Sequence, residues 1–294
     1  MSPSTVEDFK LLADAKLLVG RFPGVDIDSY HRQLPGISKT DIENAALSPA
    51  NMIARRSSED KKSDALIMGQ MLHSRLEFYN DNEKFNSLFV QMPTFKGEGS
   101  RAAKAEWILQ NKDKTALDAS DLEAIEGMLQ GVLRNPQSCD LLKAEGINEE
   151  TIYWNDLDSG VLCKCRPDKR VFNYLGSPIT IDWKTIGRFS VSEVQSAIKD
   201  YSYHVSAAFT IDGLRATGAE PGPYVFVFIE KTDPHRVLCV PARDVDVEIG
   251  RHKYKKILKQ IAECQKTGVY PGFVDLGLPE WNVQRELEQI AIGG

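Results

Sequence analysis

The sequence predicts an α/β protein in which a mixed β-sheet is flanked by helices and preceded by a helical N-terminal region. Three observations predict it. Up to about residue 146 the apolar residues recur at helical spacing. From 150 onward they fall in short runs bounded by turn residues. The run Tyr224-Val225-Phe226-Val227-Phe228-Ile229 then reads as a strand buried on both faces, with a long helical pattern after it.

Taken in order, residues 1–36 mix a short helical pattern with turn signals at Phe22-Pro23-Gly24 and Leu34-Pro35-Gly36. Ser38 opens a helix, because Ser38-Lys39-Thr40-Asp41 resembles a capping box and Ile42, Ala45 and Ala46 follow. Ser48-Pro49 interrupts that helix. The charged stretch 55–64 reads as exposed. Residues 63–80 carry the stripe Leu66, Ile67, Met71 and Leu72, with His73 on the same helix. Two further helices are predicted over 102–111 and 120–134, the second capped by Ser120. Strands follow at 151–154, 161–166 and 179–185, joined by turns at Asp158-Ser159-Gly160 and Leu175-Gly176-Ser177-Pro178, so a three-stranded meander is expected. A single helix is predicted over 190–214. Strands at 223–231 and 236–240 precede a helix over 245–267 that Gly268 ends. Pro271 onward, including Trp281, reads as a tail. We divide the chain into an N-terminal helical arm, 1–60, packed on a single unit, 61–294.

Composition narrows the function classes. The longest apolar run spans six residues and cannot cross a bilayer that needs about 20. The N-terminus carries Glu7, Asp8 and Asp14 and has no apolar segment of a secretory signal. A cytoplasmic location in a bacterial cell, away from membranes, is expected. The 5 cysteines form no CxxC pair, and Cys163 and Cys165 share one face of a strand, so they read as reduced, partly buried thiols. The net charge of −6 argues against a general nucleic-acid coat protein, which is usually basic. Basic residues nevertheless cluster. Arg251, Lys253, Lys255, Lys256 and Lys259 form one run, which is either a solvated helix face or a DNA contact. Lys164, Arg166, Lys169 and Arg170 form another.

The second run encloses the chemistry. Arg166-Pro167-Asp168 precedes Ile181-Asp182-Trp183-Lys184-Thr185. On a strand Asp182 and Lys184 point to one face. A hairpin would bring Asp168 beside Asp182, making a patch of two carboxylates and one ammonium. Carboxylates held close repel unless a cation sits between them. Hard oxygen ligands suit Mg²⁺, and a nearby lysine can orient a metal-bound water or take its proton. That set of groups can hydrolyse a phosphodiester.

Pro-Asp followed by Asp-x-Lys resembles the PD-(D/E)xK nuclease superfamily. The wider context, Tyr153-Trp154 through Gly160 to Asp168 and Asp182-Trp183-Lys184-Thr185, is similar to the RecE (exonuclease VIII) group. So are Leu34-Pro35-Gly36-Ile37-Ser38-Lys39, Ser48-Pro49 and Tyr201-Ser202-Tyr203-His204. The resemblance implies a restriction-endonuclease-like core. It also implies a Mg²⁺-dependent enzyme, with Mn²⁺ able to substitute, that degrades one strand of linear duplex DNA from its 5′ end. The 3′ tails left behind would serve recombination beside a single-strand annealing protein (RecT-like), often phage-encoded. A ring-shaped homo-oligomer, a tetramer, is implied as well.

Carried across residue by residue, the resemblance makes Asp168 and Asp182 metal carboxylates and Lys184 the catalytic lysine. The backbone carbonyl of Trp183 is a further implied ligand, and His73 is the implied histidine ligand, with Glu77 one turn on as its neighbour. Glu150 matches an acidic position of the family. The DNA-contacting residues implied are Arg166, Tyr203, His204 and Ser206. Here the chain departs from the family, whose Gln-x-x-x-Tyr on the helix after the lysine strand is replaced by Ser206 and Thr210. Asp200 and His204 could also simply pair along a helix. Two other readings remain open: another nuclease on the same fold, endonucleolytic or single-strand-specific, and a non-catalytic DNA-end scaffold.

Overall fold

A computed structural model describes residues 3–58 and 64–272, together with 283–285, 287 and 288. Part of the charged stretch 55–64, the side chain of Leu66 and Trp281 lie outside the described residues.

The elements run α1 (Val6–Asp14), β1 (Gly20–Phe22), α2 (Ile27–Arg32), α3 (Lys39–Leu47), α4 (Pro49–Ser57), α5 (Asp64–Glu77), α6 (Asn82–Leu88) and β2 (Phe89–Gln91). Next come α7 (Ser100–Gln110), β3 (Thr115–Leu117), α8 (Ala119–Arg134), α9 (Pro136–Lys143), β4 (Gly146–Asn148), β5 (Thr151–Asn155), β6 (Leu162–Cys165) and β7 (Lys169–Tyr174). The chain continues through β8 (Ser177–Ile186), α10 (Val191–Asp200), α11 (Tyr203–Ala216), β9 (Tyr224–Glu230), β10 (Val237–Pro241) and α12 (Asp244–Thr267). No described helix is long and apolar enough to cross a membrane.

Local chemistry explains several boundaries. Ser38 and Asp41 form the full capping box of α3. Ser48 ends α3 and caps α4, with Pro49 in the first turn, where its missing N–H costs nothing. Gly268 adopts the left-handed conformation that closes α12. The expected Ser120 cap is displaced, since α8 begins earlier, at Ala119, with Asp118 in the N-cap position. The helix expected over 190–214 is broken at Ser202, whose φ of 51° ends one helix and turns the chain into the next.

The centre is a five-stranded mixed sheet in the order β10-β9-β8-β7-β4. Only β8 and β9 run parallel in it, and α10 and α11 form the crossover between them. All seven residues of β9 are buried. Val225, Val227 and Ile229 pack with Met71, Leu72, Ile125 and Leu129 of α5 and α8. Tyr224, Phe226 and Phe228 pack on the other face with Phe209, Tyr254 and Leu258 of α11 and α12. The sheet is therefore sandwiched between two helical layers.

The expected meander is not continuous. Strands β5 and β6 pair with each other, and β5 also pairs with β1, in a separate three-stranded sheet. The run 169–174, not predicted as a strand, is β7 and forms the hairpin with β8. Its two leading basic residues obscured the alternation. Within the smaller sheet Trp154, Cys163 and Cys165 turn toward α11, and burial raises both thiols far above their ordinary range. The N-terminal segment shares this core: Ile37, Ile42, Ala45 and Met52 are part of it. Lys164 of β6 reaches into that segment and donates to the carbonyls of Tyr30 (2.6 Å) and Leu34 (2.8 Å).

Helix α8 carries a notch. A methyl group at Gly131 would lie 2.2 Å from the backbone oxygen of His235, and one at Gly127 would strike the same histidine's ring. Neither the helix backbone nor the turn between β9 and β10 can yield cheaply. Gly131→Ala is expected to destabilise by about 1–3 kcal/mol. The fall shows in a urea titration, and an unchanged midpoint would mean that the turn moves freely away from α8.

Candidate metal centre

Two short passages join the two sheets directly, and each carries a carboxylate. The chain leaves β4 for β5 through Glu149-Glu150, and it leaves β6 for β7 through Arg166-Pro167-Asp168. The two passages are tied together by the Glu149 N–H, which donates to the Asp168 carbonyl at 3.1 Å. Glu149 has a φ of 52°, which few residues other than Gly, Asn and Asp adopt. That conformation separates the directions of the two glutamates. Glu149 faces Asp168 and His73. Glu150 is buried in an ion pair with Arg170 of β7, at 3.0 Å. The acidic site residue expected at 150 is thus turned away, and its neighbour stands in the cluster. No local signal separates the two, because a Glu-Glu pair at a strand start does not reveal which residue takes the left-handed conformation.

Helix α5 buries Met71, Leu72 and Leu76 against Trp183 and Ile181, which leaves His73 at the edge of the sheet. His73 Nε2 donates to the Trp183 carbonyl at 3.0 Å. That bond assigns the tautomer: the proton is on Nε2, and the Nδ1 lone pair faces Asp168 Oδ1 (3.4 Å) and Glu149 Oε1 (3.9 Å). Burial lowers the His73 pKa, so the neutral ring is favoured. Three acceptors converge on one point, within 4.8 Å of one another. Such a trio is repulsive unless a proton or a cation sits among them. One imidazole and two carboxylates fit a divalent ion, whose neighbouring ligands stand about 3 Å apart at bond lengths near 2.1 Å. The trio is His73, Glu149 and Asp168. The Trp183 carbonyl, expected as a ligand, is engaged by the His73 ring and orients it.

Asp182 stands one carboxylate further in, with both oxygens already partnered. Lys184 forms an ion pair with Oδ1, and the Tyr224 hydroxyl donates to Oδ2 at 3.0 Å. Asp168 accepts from the Trp183 N–H at 2.7 Å and is hydrogen-bonded to Asp182. Burial and the neighbouring Asp182 push the Asp168 pKa well up. Burial would raise Asp182 as well, but Lys184 and the Asp168 bond outweigh it and hold Asp182 below its ordinary value. Without a metal, Asp168 therefore carries the proton and donates it to Asp182. The repulsion expected between the pair is relieved by that proton. Burial would lower Lys184, yet Asp182 and Asp168 hold it above the usual lysine value, so it stays cationic. Glu149 is pushed up to about 7 by burial and by Asp168.

The residues expected at DNA have partners within the chain. Arg166 is turned inward, its Nε donating to Glu149 Oε2 at 2.8 Å. Tyr203 is half-buried, its ring 5.0 Å from the Lys184 ammonium. The hydroxyl of Ser206 bonds to Tyr224, and Thr210 is buried beside the Cys165 thiol. His204 is buried between the Ile198 carbonyl (3.3 Å) and Lys253 (3.0 Å). Asp200 pairs with Lys199 instead of His204. Glu77 lines the same small pocket as His73, Glu149 and Asp168.

The basic run of α12 is largely paired too. Arg251 binds Asp212, and Lys255 binds both Asp156 and Asp158 in the turn after β5. Lys256 and Lys259 remain exposed. Lys255→Glu is expected to lower stability, because it sets a third carboxylate against Asp156 and Asp158. Lys256→Glu should leave stability within about 0.5 kcal/mol. If α12 meets DNA, Lys256→Glu also lowers the salt dependence of binding by about one unit of slope; an unchanged slope assigns the run to a solvated face.

Three comparisons bear on this arrangement. The fold is similar to the crystal structure of a "putative exonuclease" from Eubacterium rectale, with a TM-score of 0.58, 13% identity, and coverage of 85% of this chain and 88% of that one. At that identity the likeness concerns the fold. A match to SSO0001, at a TM-score of 0.30 and 13% identity over 80% of this chain and 86% of that one, carries no argument. No curated protein sequence matches. Residues 38–275 match the family described as a PDDEXK-like domain of unknown function (DUF3799), and this span contains His73, Glu149, Asp168, Asp182 and Lys184. By that match the chain belongs to the PDDEXK-like family DUF3799.

Proposed function

We propose that this protein is a metal-dependent nuclease, and specifically a 5′→3′ exodeoxyribonuclease that resects one strand of linear duplex DNA. The observation that carries the reading is the cluster of His73, Glu149 and Asp168 directly beside the Asp182–Lys184 pair, in a PDDEXK-like fold. The name of the similar Eubacterium rectale protein agrees with the exonuclease part of the reading.

A divalent ion bound by the cluster, Mg²⁺ with Mn²⁺ able to replace it, would acidify a water molecule and offset charge on the phosphate. The chain's own residues set the rest. His73 is oriented by the Trp183 carbonyl. Lys184 is held as a cation by Asp182 and Asp168. It acts by donating a hydrogen bond and by stabilising negative charge on the attacked phosphate. Tyr224 keeps the Asp182 carboxylate in place for it.

With the nuclease we propose a ring-shaped homo-oligomer, a tetramer, and a single-strand annealing partner in the bacterial cytoplasm. An acidic exterior around a locally basic channel would confine DNA while the net charge stays at −6. The test is digestion of a duplex labelled at its 5′ or 3′ ends, and of a closed circle, with Mg²⁺, with Mn²⁺ and with chelator. Early release of 5′ label, no cutting of the circle and no activity in chelator are expected. Cutting of the circle would make the protein an endonuclease. Tight binding of ends without cleavage under any metal would make it a scaffold. A mass near 32.9 kDa in solution, with processive digestion retained, would remove the ring.

A further inference from the structure

Arg166 is the feature of the site left without a role. It precedes Pro167-Asp168 in a strongly basic run, yet it does not face solvent. Its side chain is 10% exposed, and among the described residues its Nη1 is buried without a hydrogen-bond partner. Two contacts hold it there. Nε donates to Glu149 Oε2 at 2.8 Å, and the guanidinium lies over the Tyr30 ring, 5.6 Å from its centre. Tyr30 is fully packed in α2, and its carbonyl accepts from the Lys164 ammonium. A buried donor with no partner is unfavourable. It persists where the rest of the group is required in that position.

The other end of the contact is equally constrained. Glu149 holds a left-handed backbone conformation, and its N–H is tied to the Asp168 carbonyl. Strain of this kind survives only where the surroundings impose it. The carboxylate is divided between two tasks: Oε2 is bound to Arg166, while Oε1 faces His73 Nδ1. Carboxylates that ligate metals are themselves commonly held by such an outer hydrogen bond.

We propose that Arg166, clamped by the ring of Tyr30, is a positioning residue that presents Glu149 to the bound metal, so that a segment lying before the residues shared with the family completes the centre. Tyr30 falls outside the matched span 38–275. The clamp works because a planar guanidinium can lie over a ring and still donate from its edge, and the Lys164 ammonium shares the same ring, 4.7 Å from its centre. Arg166 then acts on metal affinity and touches no DNA. The inference rests on the metal-centre reading above.

Calorimetric titration of Mn²⁺ into the whole protein tests it, with binding as the readout. Wild type should bind, and His73→Ala should not. Arg166→Gln should weaken binding by about 10–100-fold, and Arg166→Lys should recover part of the loss. Tyr30→Leu keeps the backbone carbonyl that holds Lys164 while removing the ring beneath both cations, and should weaken binding by roughly tenfold, which gives a readout even if the Arg166 variants fail to fold. In a Glu149→Gln background Arg166→Gln should add no further loss, since both changes remove one interaction. A purely structural role would give additive effects. Should wild type bind no Mn²⁺, the metal reading itself falls and takes this inference with it. If instead wild type and His73→Ala behave as expected while Arg166→Gln and Tyr30→Leu both bind within twofold of wild type, the metal centre stands and the inference is overturned.

Discussion

Asp168→Asn is expected to abolish cleavage and all stabilisation by metal, yet leave the metal-free protein as stable as wild type or more stable. The asparagine oxygen can still accept the Trp183 N–H, and its amide can donate to Asp182 as the protonated Asp168 does. A buried carboxylate is removed at constant shape. Wild type at ten times the dissociation constant of the metal gains about 1.4 kcal/mol, a rise of about 2–4 °C in midpoint; the variant gains none. Lys184→Ala should separate the two effects. Cleavage falls by about 10²–10³-fold, as when a preorganised donor to a developing charge is lost, while the metal still raises the midpoint. Asp182→Asn should differ from Asp168→Asn, because it strips Lys184 of its ion-pair partner and lowers metal-free stability. If Asp168→Asn instead costs the metal-free protein several kcal/mol, the carboxylate is a structural one and the centre is misassigned.

The pH dependence of stability gives the second large effect. In chelator, Glu149 should make the folded protein progressively less stable as pH rises toward 7. Its pKa is about 7 in the fold, against 4.5 as the ordinary value. Between those limits the folded chain holds a proton that the unfolded chain has lost, so rising pH favours unfolding. The stabilisation is complete below about pH 4.5 and gone above about 7. At 1.36 kcal/mol per pH unit this interval is worth roughly 3 kcal/mol. Asp168, whose pKa is also raised, acts in the same sense. His73 and His204 are lowered by burial and act oppositely as pH falls below about 6.5. The informative quantity is therefore the difference between wild type and Glu149→Gln. Apart from a constant offset from the altered Arg166 contact, the variant should gain on wild type as pH climbs from about 4.5 to 7. Saturating metal should cancel that trend. A difference that is flat, or that runs the other way, would show that Glu149 is already charged in the metal-free protein.

Several parts of this protein were legible from local pattern. The capping box at Ser38, the break at Ser48-Pro49 and the stop at Gly268 depend on residues within a turn of one another. The burial of β9 follows from an unbroken apolar run. Asp182 and Lys184 share a face because a strand has period two, and their ion pair realises that expectation. His73 stands on a helix whose apolar stripe points it at the sheet edge. The basic runs were legible only as runs. Lys164, Arg166, Lys169, Arg170 and Lys255 each have a protein partner that the run itself does not reveal.

What the sequence by itself determined is therefore local: the helices and their ends, the buried strand, the presence of a Pro-Asp and Asp-x-Lys pair, and the family they resemble. Tertiary structure alone decided which groups meet. It split the expected meander between two sheets, and it set the two passages between those sheets side by side. It turned Glu149 inward and Glu150 away through one left-handed residue. It also brought Tyr30 across from the N-terminal segment to cover Arg166. The physical reason is range. Periodicity and capping are set within a few residues, whereas the pairing of strands and the burial of a charge depend on partners that only packing brings together.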